Sequence, residues 1–126
     1  MNNLNSTCPF CTPEREIIIE NKWALAFFDQ YPVTDGHCLV IPKRHVEDLD
    51  DLTIDEYHSL FELVKSIIDY LKKNQDQDSF NIGANLGRAA GQTINHIHVH
   101  VIPRKIGDVD DATGGIRGVI PSKRKY

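Results

Sequence analysis

The stretch that decides the fold is TINHIHVHVIPR, residues 93–104, in which three histidines stand at every second position. Apolar residues alternate with them, and this period predicts a β-strand with the histidines on one face and Ile97, Val99 and Val101 on the other. A strand rises about 3.3 Å per residue, so successive histidines are expected about 6.6 Å apart. Zinc–nitrogen bonds are only about 2.0–2.1 Å long, so three such imidazoles cannot easily share one ion. The three histidines are therefore expected to have different functions.

The residues of this stretch alone also fit a solvated polar strand face or a surface metal chelate. The loop before it, NLGRAAGQT at residues 85–93, adds glycines, small residues and side-chain donors. Glycines let backbone N–H groups approach an anion closely, as in phosphate-binding loops, although a plain hairpin loop has the same composition. Together with three histidines, the loop indicates phosphoryl chemistry.

Length, charge and composition predict a single soluble domain covering residues 1–126. The formal charge of −4 argues against general nucleic-acid binding. No apolar run approaches the length of a membrane span and no signal peptide is visible, so a cytoplasmic protein without a membrane partner is expected. Two of the three cysteines stand in CPFC, residues 8–11. They indicate a metal site or free thiols in a reducing compartment rather than a disulfide framework.

The periodicity predicts an α+β domain: a mainly antiparallel five-stranded sheet packed on one long helix. The strands are expected at residues 16–20, 23–28, 37–41, 80–84 and 95–102. The helix is expected to start after Thr53, which forms a capping box with Glu56, and to end near residues 72–74. Trp23 and the apolar stripe of the helix are expected in the core, with Cys38 as a small buried residue.

The chain resembles the histidine triad family, whose signature is three histidines alternating with apolar residues. The similarity covers nearly the whole chain: CPFC at residues 8–11, FFDQYPVTDGHCLVIPKRH at 27–45 and NIGANLGRAAGQTINHIHVHVIPRKIGD at 81–108. The resemblance implies a homodimeric α+β protein that binds a nucleotide or dinucleotide. It further implies hydrolysis or transfer of nucleotidyl groups through a covalent nucleotidyl-histidine, with no catalytic metal.

The resemblance also implies residue roles. His98 is the expected nucleophile, and His96, His100 and Gln92 complete the catalytic set. The nucleotide contacts that it implies are Phe28 near the base, Asp29 at the ribose hydroxyls, His37 of the Asp-Gly-His turn, and Asn85, Gly91, Gln92, Thr93 and His100 at the α-phosphate. The chemistry is consistent with these roles, because an imidazole attacks through one nitrogen while the other is held protonated by an acceptor.

These expectations predict a hydrolase acting at the α-phosphate, with a dinucleoside polyphosphate as the leading substrate. A nucleoside phosphoramidase is the nearest alternative, because the leaving group is not decided by sequence. A nucleotidylyltransferase would use the same intermediate but deliver it to a second substrate. A nucleotide-binding regulatory module with residual hydrolysis and a zinc-stabilised scaffold are the two non-enzyme alternatives.

The two ends of the chain carry separate expectations. Residues 1–15 are expected to form a zinc-binding segment, because several branches of the family use a Cys-x-x-Cys pair with two histidines. Cys8, Cys11, His45 and His96 would then bind one structural zinc ion, although a redox pair or two ordinary thiols have the same spacing. Residues 105–126 are expected to form a tail near the active site that influences substrate choice.

Overall fold

Five strands and one long helix form the core of the computed structural model, which describes residues 7–126. The elements are β1 (Ile17–Glu20), β2 (Ala24–Phe28), β3 (Cys38–Pro42), α1 (Ile54–Asn74), β4 (Ser79–Gly83) and β5 (Val99–Arg104). The strands form one antiparallel sheet in the order β1-β2-β3-β5-β4. This arrangement confirms the α+β fold class. No helix among residues 7–126 is both long and apolar enough to cross a membrane.

Helix α1 begins and ends where its sequence signals predict. The Thr53 side chain accepts a hydrogen bond from the Glu56 backbone, and the Glu56 side chain accepts one from the Thr53 backbone, so the capping box is complete. The buried face of the helix packs on one side of the sheet. Its buried apolar residues are Leu60, Leu63, Val64, Ile67 and Leu71. Cys38 is fully buried in the same core, as expected.

The opposite side of the sheet carries a second, smaller apolar cluster. It consists of Leu25, Phe27, Leu39 and Ile41, with Phe10 packed against it. Phe10 belongs to the amino-terminal segment, which has no helix or strand between residues 7 and 16. Residues 1–6 of the predicted zinc-binding segment lie outside the described part of the chain. The functional site forms where this segment meets the sheet.

Two expectations about burial and strands are wrong. Trp23 precedes β2 instead of lying in it, is 36% exposed, and has the Lys22 ammonium 5.0 Å from its ring centroid. The triad strand begins only at Val99, so His96 and His98 lie in the bend before it. The physical reason is that the Ile97 N–H donates to the Val46 carbonyl, 2.7 Å away, instead of joining the β3 ladder.

Candidate active site and adjoining metal cluster

The imidazole of His98 is oriented by the backbone two residues before it. Its Nδ1 lies 2.9 Å from the carbonyl oxygen of His96. A carbonyl only accepts hydrogen bonds, so Nδ1 must carry the proton and the neutral ring keeps its lone pair on Nε2. The ring is 8% exposed and lines a cavity. This geometry leaves His98 with one fixed nitrogen and one nitrogen suited to nucleophilic attack.

His100 is oriented by a second hydrogen-bond chain that starts at a backbone amide. The Val33 N–H donates to Nδ1 of His37 at 3.1 Å, so the neutral His37 ring carries its proton on Nε2. That Nε2 lies 2.9 Å from Nδ1 of His100 and donates to it. His100 therefore carries its own proton on Nε2. This series of hydrogen bonds leaves Nε2 of His100 as a hydrogen-bond donor, which is the property needed beside a phosphate oxygen.

Burial keeps these rings neutral. Desolvation lowers the pKa of His37, and the nearby Asp29 carboxylate, 3.5 Å from Nε2, partly opposes that shift. Desolvation likewise lowers the pKa of His100 to about 4, and the neighbouring His98 and His37 act in the same direction. Both rings are uncharged at neutral pH, so the proton order along the Val33–His37–His100 chain is maintained.

The same three side chains, Asp29, His37 and His100, place ligand atoms within 4.8 Å of one another, a spacing compatible with a cation. The hydrogen-bond chain argues against that use. A metal on Nε2 of His37 would displace its proton to Nδ1, where it would face the Val33 N–H donor. Two donors would then point at each other, so this cluster is better suited to a proton than to a metal ion.

A cavity of about 900 Å³ opens beside the histidines. The amino-terminal segment forms one wall, Phe27 and Leu39 contribute the apolar floor, and Asp29 lies on the rim. The predicted residues that line it are Asp29, His37, Asn85, Gly91, Thr93, His98 and His100. Its size and its mixture of apolar and polar groups suit a small organic ligand.

Phe28 does not line this cavity, because alternate residues of a strand face opposite sides of the sheet. It packs instead against the core beneath helix α1. Its neighbour Phe27 is the residue on the cavity side. Of the Phe27–Phe28 pair, the resemblance placed Phe28 near a base, whereas the structure places Phe27 on the cavity side.

The loop before the triad is held by the side chain of Gln92. Its Oε1 accepts from the Gly87 N–H at 2.9 Å, and its Nε2 donates to the carbonyls of Glu47 and Ile94 at 3.1 and 3.2 Å. The positive φ angles of Gly87 and Gly91, 88° and 96°, allow the chain to reverse around this amide. The structure thus places the Gln92 side chain within the loop and outside the cavity lining.

A compact group of two cysteines and two histidines adjoins the cavity. The ligand atoms of Cys8, Cys11, His45 and His96 lie within 4.8 Å of one another. Cys11 Sγ is 3.1 Å from His45 Nδ1, and His96 Nδ1 is 3.5 and 3.6 Å from the two sulfurs. In a tetrahedral zinc site a sulfur and a nitrogen lie about 3.6 Å apart, so the separations at His96 fit closely. This cluster could hold a metal ion.

The orientation of His96 supports the same conclusion. Its Nε2 lies 2.8 Å from the Pro42 carbonyl and must donate to it, which leaves the lone pair of Nδ1 facing the thiols. Metal-bound histidines are commonly fixed by such a partner on the second nitrogen. Full burial lowers the pKa of His96 to about 4, so its ring is neutral and able to ligate. His96 thus belongs to the metal cluster, while its carbonyl serves His98.

Phe10 is a site residue to which sequence reasoning assigned no role. Its ring makes edge contacts with Phe27, His96 and His98, and the centroid of the His98 ring is only 5.0 Å away. An aromatic residue between two metal-ligand cysteines was the available signal. This signal did not predict that Phe10 contacts His98, because the contact depends on how the amino-terminal segment folds over the sheet.

The carboxyl-terminal tail approaches the same face of the sheet. Ile116 lies over Gly83, where a Cβ added to the glycine would be 3.8 Å from the Ile116 Cδ1. Gly83 is paired with His100 across β4 and β5, so this part of the tail is one strand away from the triad. The tail is closed on itself by Arg117, which donates to the carbonyls of Lys123 and Arg124.

Comparison with known proteins identifies related sequences. An uncharacterised HIT-like protein of Methanocaldococcus jannaschii is 43% identical over 93 residues, which are 74% of this chain and 71% of that protein. A bis(5′-nucleosyl)-tetraphosphatase (asymmetrical) of Schizosaccharomyces pombe is 40% identical over 76% of this chain and 53% of its own length. An AP-4-A phosphorylase of Mycobacterium tuberculosis is 38% identical over 83% and 55%, respectively. The chain therefore spans about half the length of these two named enzymes.

Solved structures agree with the fold. A HIT family protein of Bacillus anthracis superposes with a TM-score of 0.75 at 36% identity, covering 82% of this chain and 77% of that one. A zinc-bound histidine triad family protein of Mycobacterium smegmatis gives a TM-score of 0.73 at 37% identity, covering 81% and 78%. The HIT domain model matches residues 12–107. With this match, the antiparallel sheet and the arrangement of its histidines, the chain belongs to the HIT family.

Proposed function

We propose that the protein hydrolyses dinucleoside polyphosphates or related nucleotides at the α-phosphate through a nucleotide bound covalently to His98. The observation that carries the proposal is the orientation of His98, whose Nδ1 is held by the His96 carbonyl while the ring lines the cavity. The relatives named as a bis(5′-nucleosyl)-tetraphosphatase and an AP-4-A phosphorylase support a nucleotide substrate.

The proposed reaction has two displacements at phosphorus. His98 Nε2 attacks the α-phosphorus and forms a P–N bond while the bond to the leaving group breaks. The His96 carbonyl, which accepts the hydrogen bond from Nδ1–H of His98, stabilises the positive charge that develops on the ring. His100 donates from Nε2 to a non-bridging phosphate oxygen. Water then attacks the same phosphorus, the P–N bond breaks, and the lone pair returns to His98.

The cavity offers a place for each part of the nucleotide. In the proposed complex the base lies on the apolar floor of Phe27 and Leu39, and Asp29 accepts hydrogen bonds from the ribose. Asn85 and Thr93 stand with the histidines at the phosphate end. Gln92 acts on this end indirectly, by holding the loop through the Gly87 amide.

A substrate panel tests the proposal. Dinucleoside polyphosphates and nucleoside phosphoramidates are incubated in ¹⁸O-water, and the products are identified by mass spectrometry. We expect ¹⁸O in the nucleoside monophosphate, and loss of turnover of about 10³-fold or more in His98→Asn. His58→Asn, an exposed histidine on α1, is the matched control and should keep wild-type turnover. Binding of nucleoside monophosphate without turnover of any panel member would instead indicate a regulatory module.

Phosphorolysis is the second candidate, because one relative is named as an AP-4-A phosphorylase. The same His98 intermediate would then pass to inorganic phosphate instead of water. Adding phosphate to the panel distinguishes the two reactions, since phosphorolysis yields an unlabelled nucleoside diphosphate at the expense of labelled monophosphate. A dependence of the total rate on phosphate would assign the protein to nucleotidyl transfer.

We further propose that the ion held by Cys8, Cys11, His45 and His96 is structural zinc. Two sulfurs and two nitrogens complete a tetrahedron and leave no position for substrate, so the ion would supply a cross-link rather than catalysis. The zinc-bound relative of M. smegmatis supports this assignment. Zinc below about a tenth of an equivalent per chain, in protein purified without added metal, would contradict it. We also propose the cytoplasm as the compartment, because a reducing environment keeps the three cysteines as thiols.

A homodimer is the proposed assembly. Ile54, Tyr57 and Phe61 recur at helical spacing on α1 and are 66%, 42% and 40% exposed, and Ile82 on the edge strand β4 is 40% exposed. An edge strand can pair antiparallel with its own copy about a two-fold axis, which would cover Ile82, and the apolar face of α1 offers a second surface for a copy. Sedimentation of wild type as a monomer at micromolar concentration would contradict the dimer.

A further inference from the structure

Phe10 connects the cysteine pair to the proposed nucleophile. It lies between Cys8 and Cys11, and its backbone N–H donates to Cys8 Sγ at 3.4 Å. The Cys11 N–H donates to the Cys8 carbonyl at 3.3 Å, which closes a tight turn around it. The turn directs the Phe10 ring at the edge of His98, 5.0 Å between centroids. A change at either sulfur therefore acts directly on the residue that covers His98.

The wall of the cavity on this side has no secondary structure of its own. Residues 7–16 contain no helix or strand, yet they include much of the lining opposite the sheet. Such a segment is positioned by its side chains, and extensive contacts join Cys8, Phe10 and Cys11 to His45, His96 and His98. The contacts of the two thiols thus help to fix the position of this wall of the cavity.

The third cysteine is chemically separate from this pair. Cys38 is fully buried in the helix-packed core, and its thiol donates to the Gly36 carbonyl at 3.2 Å. Cys8 and Cys11, by contrast, are 8% and 9% exposed, and Cys8 lines the cavity. An oxidant that enters the cavity reaches Cys8, whose sulfur lies within 4.8 Å of the Cys11 sulfur, and not Cys38.

We infer that the Cys8–Cys11 pair is a redox-sensitive control of nucleotide affinity, which acts by holding Phe10 against His98. This inference rests on the proposed function only in requiring that the cavity bind a nucleotide. In the reduced state the sulfurs ligate the ion and keep the wall closed. A peroxide accepts two electrons from the two thiolates, its O–O bond breaks, an S–S bond forms, and the oxygens leave as water after taking up protons. The ion, having lost two of four ligands, dissociates, and a dithiol reverses the change.

The oxidised state weakens binding more than chemistry. A disulfide between Cys8 and Cys11 changes the turn that carries Phe10, so the aromatic wall moves away from the cavity. The hydrogen bond from His98 Nδ1 is made to the backbone carbonyl of His96, whereas the sulfurs contact the His96 imidazole. The structure therefore assigns Phe10 as a positioning residue whose loss raises KM and Kd and leaves kcat close to the reduced value.

The experiment uses the full chain with Cys38→Ser, so that the pair supplies the only thiols. Zinc-loaded protein is treated with hydrogen peroxide; intact mass reports the disulfide, a metallochromic dye reports released zinc, and calorimetry gives the Kd of a nucleoside 5′-monophosphate. We expect Kd to rise about tenfold, equivalent to about 1.4 kcal/mol, and to return after dithiothreitol and zinc. Protein that contains the disulfide, remains folded by circular dichroism and binds within about twofold of the reduced Kd would overturn the inference.

Two variants separate Phe10 from the metal. Phe10→Ala keeps both thiols and should retain zinc, yet bind the monophosphate about tenfold more weakly with kcat within about threefold of wild type. It should also show no further loss of affinity on oxidation. Phe10→Leu retains an apolar side chain and should restore part of the affinity. A full peroxide response in Phe10→Ala, or wild-type affinity in that variant, would overturn the role of Phe10.

Failure of this inference and failure of the hydrolase proposal give different results. A peroxide-sensitive Kd without turnover of any panel substrate would contradict the hydrolase and support the control of affinity. Turnover through His98 with a Kd that does not respond to a confirmed disulfide would support the hydrolase and contradict the control.

Discussion

At the scale of the residue, each triad histidine is distinguished by the partner of one ring nitrogen. His96 donates from Nε2 to Pro42 and turns Nδ1 toward the thiols. His98 donates from Nδ1 to the His96 carbonyl, and His100 accepts at Nδ1 from His37. In the proposed mechanism, three identical side chains therefore serve as a ligand, a nucleophile and a donor. The alternating pattern of the triad predicted that the three histidines have different functions, but the hydrogen-bond partners that distinguish them come largely from distant segments.

The residue-scale prediction concerns His37. His37→Ala removes the donor that fixes His100 and leaves a buried acceptor unsatisfied, a loss of about 1–3 kcal/mol that corresponds to about a 5- to 150-fold lower kcat. His37→Gln can still donate and should lose less. Steady-state kinetics and the Kd of the monophosphate are measured together, and we expect Kd to change by less than about threefold. An unchanged kcat in His37→Ala would remove His37 from the mechanism.

The pH profile of the same variant gives an independent result. Burial holds the pKa of His100 at about 4, below its ordinary value of 6.5, so the His100 imidazole should stay neutral as the pH falls and titrate only near 4. Protonation would place a second proton on Nδ1, directly facing the His37 donor. In His37→Ala water can enter, so the pKa of His100, followed by NMR of its imidazole, should move toward 6.5; a His100 imidazole that titrates near 6.5 in wild type would contradict this account.

At the scale of the element, the start of α1 fixes the segment that carries His45. Glu56 is 2% exposed, closes the capping box, and accepts two hydrogen bonds from Arg44 at 2.8 and 2.9 Å. Arg44 immediately precedes His45 in the chain. The pair therefore ties the end of β3 to the helix amino terminus and places His45 beside the cysteines. The start of α1, which the sequence predicted only from its capping box, thus also positions His45, a candidate metal ligand.

Glu56→Gln tests this connection. Glutamine preserves the capping box but loses the charged pair, and we expect the free energy of unfolding to fall by about 1–3 kcal/mol at pH 7. Hydrogen bonds from Arg44 hold the pKa of Glu56 below 4.5, so its contribution is present above that pH and is lost as the pH falls below it. In urea unfolding, the free energy of unfolding of the wild type should decrease below about pH 4.5, and this decrease should be smaller in the variant. Glu62→Gln, on the exposed side of α1, is the control; equal effects of the two substitutions would contradict the prediction.

The elements also show what sequence can and cannot specify. The capping box, the helix end and four strands follow from local signals near Thr53, Lys72 and the alternating runs, and the structure confirms them. The triad strand was predicted too long because alternation cannot reveal that Ile97 bonds to Val46 rather than to β3. Trp23 was predicted to be buried because hydrophobicity does not reveal that it lies just before β2, where it is 36% exposed. Phe10 could not be assigned, since its contacts cross from the amino-terminal segment to the triad.

At the scale of the whole molecule, the cavity is assembled from the amino-terminal segment, the sheet and the loop before the triad, and Ile116 of the tail lies by Gly83, the partner of His100 in the sheet. Gly114 adopts a left-handed conformation, and a Cβ there would clash with the Arg124 carbonyl, so glycine permits the tail to close. Lys125 pairs with Asp111 at 2.5 Å. The tail is thereby kept near the strand that pairs with His100.

Truncation after Asp111 tests the proposed influence of the tail on substrate choice. Loss of Arg117, Lys123, Arg124 and Lys125 removes positive charge from the approach to the site. We expect kcat/KM for dinucleoside polyphosphates to fall about tenfold and to lose its salt dependence, while uncharged leaving groups are affected less. Lys73→Gln, at the far end of α1, is the charge control. Identical kinetics for every substrate would show that the tail has no part in specificity.

The central claim is that His98 carries the nucleotide during turnover, and a covalent adduct tests it most directly. A dinucleoside polyphosphate is mixed with excess enzyme, the reaction is quenched in alkali, where a phosphohistidine linkage is expected to survive, and the peptides are mapped by mass spectrometry. The account predicts one nucleoside monophosphate on the peptide that contains His98, its disappearance on the time scale of turnover, and its absence in His98→Asn. Turnover with the adduct on another residue, or retained in His98→Asn, would contradict it.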